Sequence, residues 1–132
     1  MIEDRVLPWV QDKIESDVWN NWDISLRDFV ILDAAMNDLM RPALYGSRHE
    51  IMASIKSKKM IRKKHEFVGP ICETADKFLS VPKFQTLREK DTLAICDVGA
   101  YGMVLSSNYN LRTKPSEILI NQSSSKIITK RQ

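Results

Sequence analysis

A chain of 132 residues, 43% apolar and 28% charged, is long enough for one domain with a modest core and too apolar for a disordered tail. Its 20 basic and 17 acidic residues give a net charge of +3, a mixed surface that by itself gives no warrant for a nucleic-acid partner. Two cysteines fit a reducing compartment, no apolar run approaches the roughly 20 residues of a membrane span, and Glu3, Asp4 and Arg5 stand where a signal peptide would turn apolar, so the expected location is the cytoplasm.

In chain order, Met1 to Leu26 reads as a helix, centred on Glu3 to Trp19. Val6, Val10, Ile14 and Val18 recur every four positions, Leu7 joins them, and Pro8 is tolerable near a first turn. Trp9, Trp19 and Trp22 add bulk to a stripe that either packs on the domain or docks on a partner. Phe29-Val30-Ile31-Leu32 is short, apolar and β-branched, which predicts a buried strand ended by Asp33. Behind it Asn37, Asp38, Arg41 and Tyr45 crowd around Pro42, which predicts an ordered turn near Met40 and Arg41. Such a loop is either a ligand-binding edge or a polar cover over a sheet.

His49, Ile51, Ala53 and Ile55 alternate with polar neighbours and predict a strand over Ile51–Ile55. The basic residues from Lys56 to Lys64 follow without stacking aromatics, so a solvated hairpin fits them better than a phosphate or nucleic-acid site. A strand over Lys64–Val68 then meets Gly69-Pro70, a break that lets Ile71-Cys72-Glu73 project. Cys96 lies in the apolar strand Thr92–Asp97 and reads as a small core residue, whereas Cys72 beside Glu73 and Asp76 is placed to present a thiol and a carboxylate. The spacings of Cys72, Cys96, His49 and His65 fit no zinc signature. Gly99 and Gly102 flank Tyr101 in a predicted turn that aims the phenol, with Ser106, Ser107 and Asn108 as capping residues. Glu117–Ile120 is a last strand, and the chain from Gln122 reads as a frayed tail.

Three of these stretches stand in an order that narrows the reading. They are the run from Asp33 through Met36-Asn37-Asp38-Leu39-Met40-Arg41-Pro42 to Tyr45, the run from Val68 through Cys72-Glu73-Thr74-Ala75-Asp76, and the run from Asp97 through Gly99-Ala100-Tyr101-Gly102 to Asn110. Together, from about Phe29 to Asn121, they resemble the C-terminal part of diaminopimelate decarboxylase, a pyridoxal-phosphate enzyme of lysine biosynthesis. The resemblance implies a mainly β fold, a C-terminal β-barrel or sandwich-like domain of the alanine racemase and ornithine decarboxylase type, with an N-terminal helix and short helical turns. Residues 1–26 would be a helical segment outside the resemblance, 27–121 the domain and 122–132 the tail.

It also implies roles. Arg41 and Tyr45 would bind the carboxylate end of diaminopimelate, for which a guanidinium fork is suited. Cys72 would be the proton donor, entering the site of a neighbouring subunit, and Glu73 would hold the distal ammonium. Tyr101 would contact both cofactor and substrate. Thr74-Ala75 stands where the family usually has Ser-Gly, and Leu105 where it has methionine. Relatives acting on simpler diamino acids typically carry aspartate after the cysteine, so Glu73 favours diaminopimelate. The family's barrel domain, with its cofactor-bonding lysine and phosphate loop, has no counterpart, so pyridoxal phosphate is expected in a complete enzyme but not stably on this chain alone. Two functions stay open: a C-terminal part of a decarboxylase making L-lysine and CO2, as a homodimer or with a barrel-bearing polypeptide, or a non-catalytic remnant or regulatory fragment on the dimer interface of an intact decarboxylase.

Overall fold

The computed structural model describes residues 14–24 and 27–131. The order of elements is β1 Ile14–Ile24, β2 Arg27–Leu32, α1 Arg41–Tyr45, β3 Ile51–Ala53, β4 Met60–Ile61, β5 Lys64–Val68, β6 Lys77–Val81, β7 Phe84–Gln85, β8 Thr92–Ile95, α2 Gly99–Leu105, a short turn of tighter helix at Tyr109–Leu111, β9 Glu117–Asn121 and β10 Ser124–Thr129. The fold is mainly β with short helices, as expected.

The main sheet has six strands in the order β3-β8-β1-β2-β5-β6. Strands β2 and β5 run parallel and the other neighbours antiparallel. Strand β1 is long because it serves two partners: Ile14 to Asp17 pair with β8, and Val18 to Ile24 with β2, the register shifting between Val18 and Asn20. A bulge at such a point bends the strand and lets one chain segment join two halves of a sheet.

The core follows the pleat. In β2 burial alternates, so Val30 and Leu32 point inward with Phe67 of β5, Phe78 and Leu79 of β6, and Leu93 and Ile95 of β8. Phe67 is fully buried and meets Phe84 edge-on, with ring centroids 4.9 Å apart. Behind the aromatic cluster a buried polar pair continues the strand: His65 Nε2 lies 3.3 Å from Asp28 Oδ2, and His65 Nδ1 donates to the Lys63 carbonyl at 2.8 Å.

Two expectations are overturned. The segment from Ile14 to Ile24, expected in a helix, is strand; the remainder of that expectation, residues 1–13 and 25–26, lies outside the described residues. The error has a physical source, since a spacing of four places residues on one side of a helix and equally on one side of a strand, so Ile14 and Val18 fit both periods. The expected frayed tail contains β10, paired with β9 from Ser124–Asn121 to Thr129–Glu117. Its serines and lysines hid an edge strand of a hairpin, where polar residues are ordinary. Among the described residues no helix is long and apolar enough to cross a membrane.

Candidate functional site

Beyond β2 the chain turns on Asp38, whose Oδ2 accepts the Ala35 N–H at 2.8 Å while its own N–H donates to the Ala35 carbonyl at 2.9 Å. Leu39 is driven into the core from this loop. Arg41 then opens α1 where an ordered turn was expected, with Pro42 in the first turn, the one part of a helix that does not need its N–H. Gly46 stops the helix with a left-handed φ of 62°, returning its N–H to the Pro42 carbonyl at 3.0 Å, a conformation glycine adopts without penalty. Four residues apart, Arg41 and Tyr45 share one side of this single turn. His49 anchors the exit, its Nδ1–H donating to the Cys96 carbonyl at 2.9 Å.

The second loop joins β5 to β6. It is closed at its base by Gly69 N–H on the Asp76 carbonyl at 3.0 Å and by Asp76 N–H on the Glu73 carbonyl at 3.1 Å. Cys72 and Glu73 project from it, exposed, while Asp76 turns inward and is 3% exposed. Its Oδ1 accepts the Met36 N–H and its Oδ2 the Ile71 N–H, both at 2.7 Å. A Cβ on Gly69 would stand 2.3 Å from Asp76 Oδ2, so the absence of a side chain at 69 is what makes room for the carboxylate.

The third stretch starts at α2, where the Gly99 to Gly102 segment expected as a turn is helical. Tyr101 is exposed on it, and the Arg41 guanidinium lies 5.8 Å from the centre of the Tyr101 ring, a cation–π geometry. The Tyr109 hydroxyl donates to Glu73 Oε1. Asn110 and Leu111 both hold left-handed backbone, with φ of 55° and 56°, an unfavourable conformation for leucine that must be imposed by its surroundings. The anchor is Arg112, which donates from Nε to Asn37 Oδ1 at 3.0 Å and from its terminal nitrogen to the Asp33 carbonyl. Asn37 in turn donates to the Ser107 carbonyl at 3.1 Å, and Ser107 N–H donates back to the Asn37 carbonyl at 2.9 Å.

Three loops that are far apart in sequence thus close on one polar centre of buried Asn37, Asp38 and Asp76 with the half-buried Arg112. Burial pushes the Asp38 carboxyl above its ordinary range, opposed by the Ala35 N–H and the Arg112 guanidinium. Burial pushes Asp76 up as well, opposed by the Ile71 and Met36 N–H groups and again by Arg112. The structure joins Arg41 to Tyr101 and sets Glu73 beside Tyr109. Cys72 and Tyr45 stand exposed on the same elements and make no hydrogen bond or ion pair among the described residues. Sequence reasoning missed Tyr109 and Arg112; neither lies at a position that periodicity or turn chemistry distinguishes. Asp76, grouped with Cys72 and Glu73 on the projecting turn, is internal.

For a pyridoxal group the donor set is partial. Tyr101 and Arg41 offer one exposed phenol and one cation, but none of the described lysines is buried, so none sits in the desolvated setting that suits a cofactor-bonding amine. Among the described residues no cluster of three or more His, Cys, Asp or Glu is placed to hold a metal.

Residues 9–99 match the family model described as the pyridoxal-dependent decarboxylase, C-terminal sheet domain. The diaminopimelate decarboxylase of Pseudomonas aeruginosa is 46% identical over 95 residues, which is 72% of this chain and 22% of that protein. The solved diaminopimelate decarboxylase of M. jannaschii in complex with L-lysine superposes with a TM-score of 0.85 at 31% identity, covering 91% of this chain and 27% of that one. The Helicobacter pylori enzyme, also with L-lysine, gives 0.81 at 35% identity, covering 91% and 29%. The chain spans about a quarter of the length of the curated relatives it matches.

Proposed function

The chain belongs to the pyridoxal-dependent decarboxylases through their C-terminal sheet domain, and from that premise we propose that it contributes the sheet-domain share of an active site that decarboxylates meso-diaminopimelate to L-lysine. The observation that supports this reading is the closure of the three motif loops on one centre, which gathers Arg41, Tyr45, Cys72, Glu73 and Tyr101 on neighbouring elements. Arg41 and Tyr45 hold the carboxylate of the substrate. Glu73, oriented by the Tyr109 hydroxyl, pairs with the distal ammonium, and Cys72 delivers the proton that replaces CO2. Pyridoxal phosphate would supply the electron sink for that reaction when bound, and Tyr101 would contact it. The covalent anchor comes from a barrel-bearing polypeptide, in a dimer or a hetero-complex in the cytoplasm.

Leu44, Tyr45, Tyr101, Val104, Tyr109 and Leu111 are exposed on α1, α2 and the turn after it, a concentration of apolar surface that fits a docking face. That face also supports a second reading, in which the chain is non-catalytic and occupies the dimer interface of an intact decarboxylase. Mixing the chain with a barrel-bearing fragment and following CO2 release from diaminopimelate separates the two. Activity that depends on the mixture and falls with Cys72→Ala supports the first. Failure to activate any barrel fragment, with dose-dependent inhibition of an intact enzyme, supports the second.

A further inference from the structure

We propose that Asp76 is a positioning residue, whose carboxylate clamps the turn presenting Cys72 and Glu73 to the loop presenting Arg41. The proposal rests on the reading of Cys72 and Glu73 as site residues, and what it adds is how they are held. Asp76 sits 40 residues from Met36, yet its Oδ1 takes the Met36 N–H at 2.7 Å while Oδ2 takes the Ile71 N–H at the same distance. One carboxylate therefore bridges two loops through main-chain atoms, so the constraint acts on backbone position rather than on a mobile side chain. Ile71 is the residue before Cys72, and its carbonyl accepts the Glu73 N–H at 2.8 Å, so displacing Ile71 displaces both site residues.

The geometry is selective for aspartate at 76 and glycine at 69. Asparagine would turn one acceptor into an NH2 facing an N–H. A Cβ at 69 would fall 2.4 Å from Oδ1 and 2.6 Å from the carboxyl carbon as well, so the carboxylate would have to leave its place between the two N–H groups. The clamp is also separable from the sheet. The β5–β6 ladder runs from His65–Val81 to Val68–Lys77 through main-chain pairing that does not use the Asp76 side chain. Loss of the carboxylate should therefore release the turn and leave the hairpin paired.

The test uses the full chain. In Asp76→Asn, reaction of Cys72 with an aromatic disulfide reagent should change by roughly threefold or more, because thiol reactivity follows local environment, while far-UV circular dichroism keeps the wild-type shape. Buried Cys96 stays silent, as a Cys72→Ser blank verifies. Gly69→Ala should reproduce the change, since it evicts the carboxylate without altering its chemistry. On the wild-type chain, NMR titration in acid should move the Met36, Ile71, Cys72 and Glu73 amides with one shared midpoint. That measurement decides the matter if neither variant folds. A wild-type rate at Cys72 in folded Asp76→Asn, or amides at 72 and 73 that do not follow those at 36 and 71, overturns the clamp. If these signatures hold and no barrel fragment restores CO2 release, the decarboxylase reading falls and the clamp stands; if activity appears without the signatures, the clamp alone falls.

Discussion

Glu66 in the sheet and Asp76 beneath the loops are both buried carboxylates, 2% and 3% exposed, yet they are treated in opposite ways. Glu66 faces two ammonium groups, Lys77 Nζ at 2.6 Å and Lys64 Nζ at 2.8 Å, and accepts the Ser80 hydroxyl as well. Burial alone would raise it, but these hydrogen bonds prevail and hold it at about 2. Asp76 accepts two neutral N–H groups and feels one guanidinium that it shares with Asp38, and there burial prevails. The sheet gains stability from its charge, whereas the loops carry charge that is incompletely compensated. Such undercompensated groups collect where geometry serves a purpose other than stability.

Glu66→Gln should give the largest effect, a loss of about 2–3 kcal/mol at neutral pH, in line with a folded value near 2 against an ordinary 4.5. Since the folded value lies below the unfolded one, this stability is complete above the unfolded value and is lost as pH falls towards about 2. The penalty of the substitution, followed by urea unfolding, should therefore shrink with acidification across that window. Asp38 and Asp76 run the other way: with folded values above 3.8, their ionised forms cost stability, and that cost is relieved as pH falls through the folded values. A Glu66→Gln penalty that stays constant as pH falls towards about 2 would break the contrast.

Arg112→Ala should come next, at about 1–2 kcal/mol, because it strips hydrogen bonds from Asn37 and the Asp33 carbonyl and removes the cation nearest both aspartates. Its loss should be larger at neutral pH than near pH 4, since Asp38 and Asp76 then ionise without their shared counter-charge. Equal losses at both pH values would show that Arg112 acts only as a tether.

How much of this was legible follows the same division. Strand β2 could be read because Phe29 to Leu32 is a short apolar run ended by Asp33, and β5 because Phe67-Val68 runs into the Gly69-Pro70 stop although Lys64, His65 and Glu66 before them are polar. Strand β1 could not, because its spacing of four satisfies two periods and only pairing with β2 and β8 decides between them. Strand β6, Lys77-Phe-Leu-Ser-Val81, was overlooked beside the motif that precedes it. In the candidate site, the motif order brought Arg41, Cys72, Glu73 and Tyr101 into view. The inward turn of Asp76 and the reach of Arg112 to Asn37 were hidden, since both depend on contacts across 40 and 75 residues of sequence that no local window contains.

Tyr109→Phe should have the smallest effect on the fold and the sharpest on selection. The ring is exposed and remains in the variant, so unfolding should be unchanged. What is lost is one hydroxyl donated to Glu73, a bond that raises the Tyr109 pKa above its ordinary 10.0, first through the hydrogen bond and then through the carboxylate charge. Ultraviolet titration reads this directly: the chain has three tyrosines, and the most reluctant component should vanish in the variant. On the proposed role of Glu73, KM for diaminopimelate in a complemented assay should rise more than kcat falls, because an unheld Glu73 would have to be ordered by the substrate itself. A kcat that falls alone would place Tyr109 with the proton transfer proposed for Cys72 and away from Glu73, and the division between a stabilising sheet and a positioning loop centre would need redrawing at that residue.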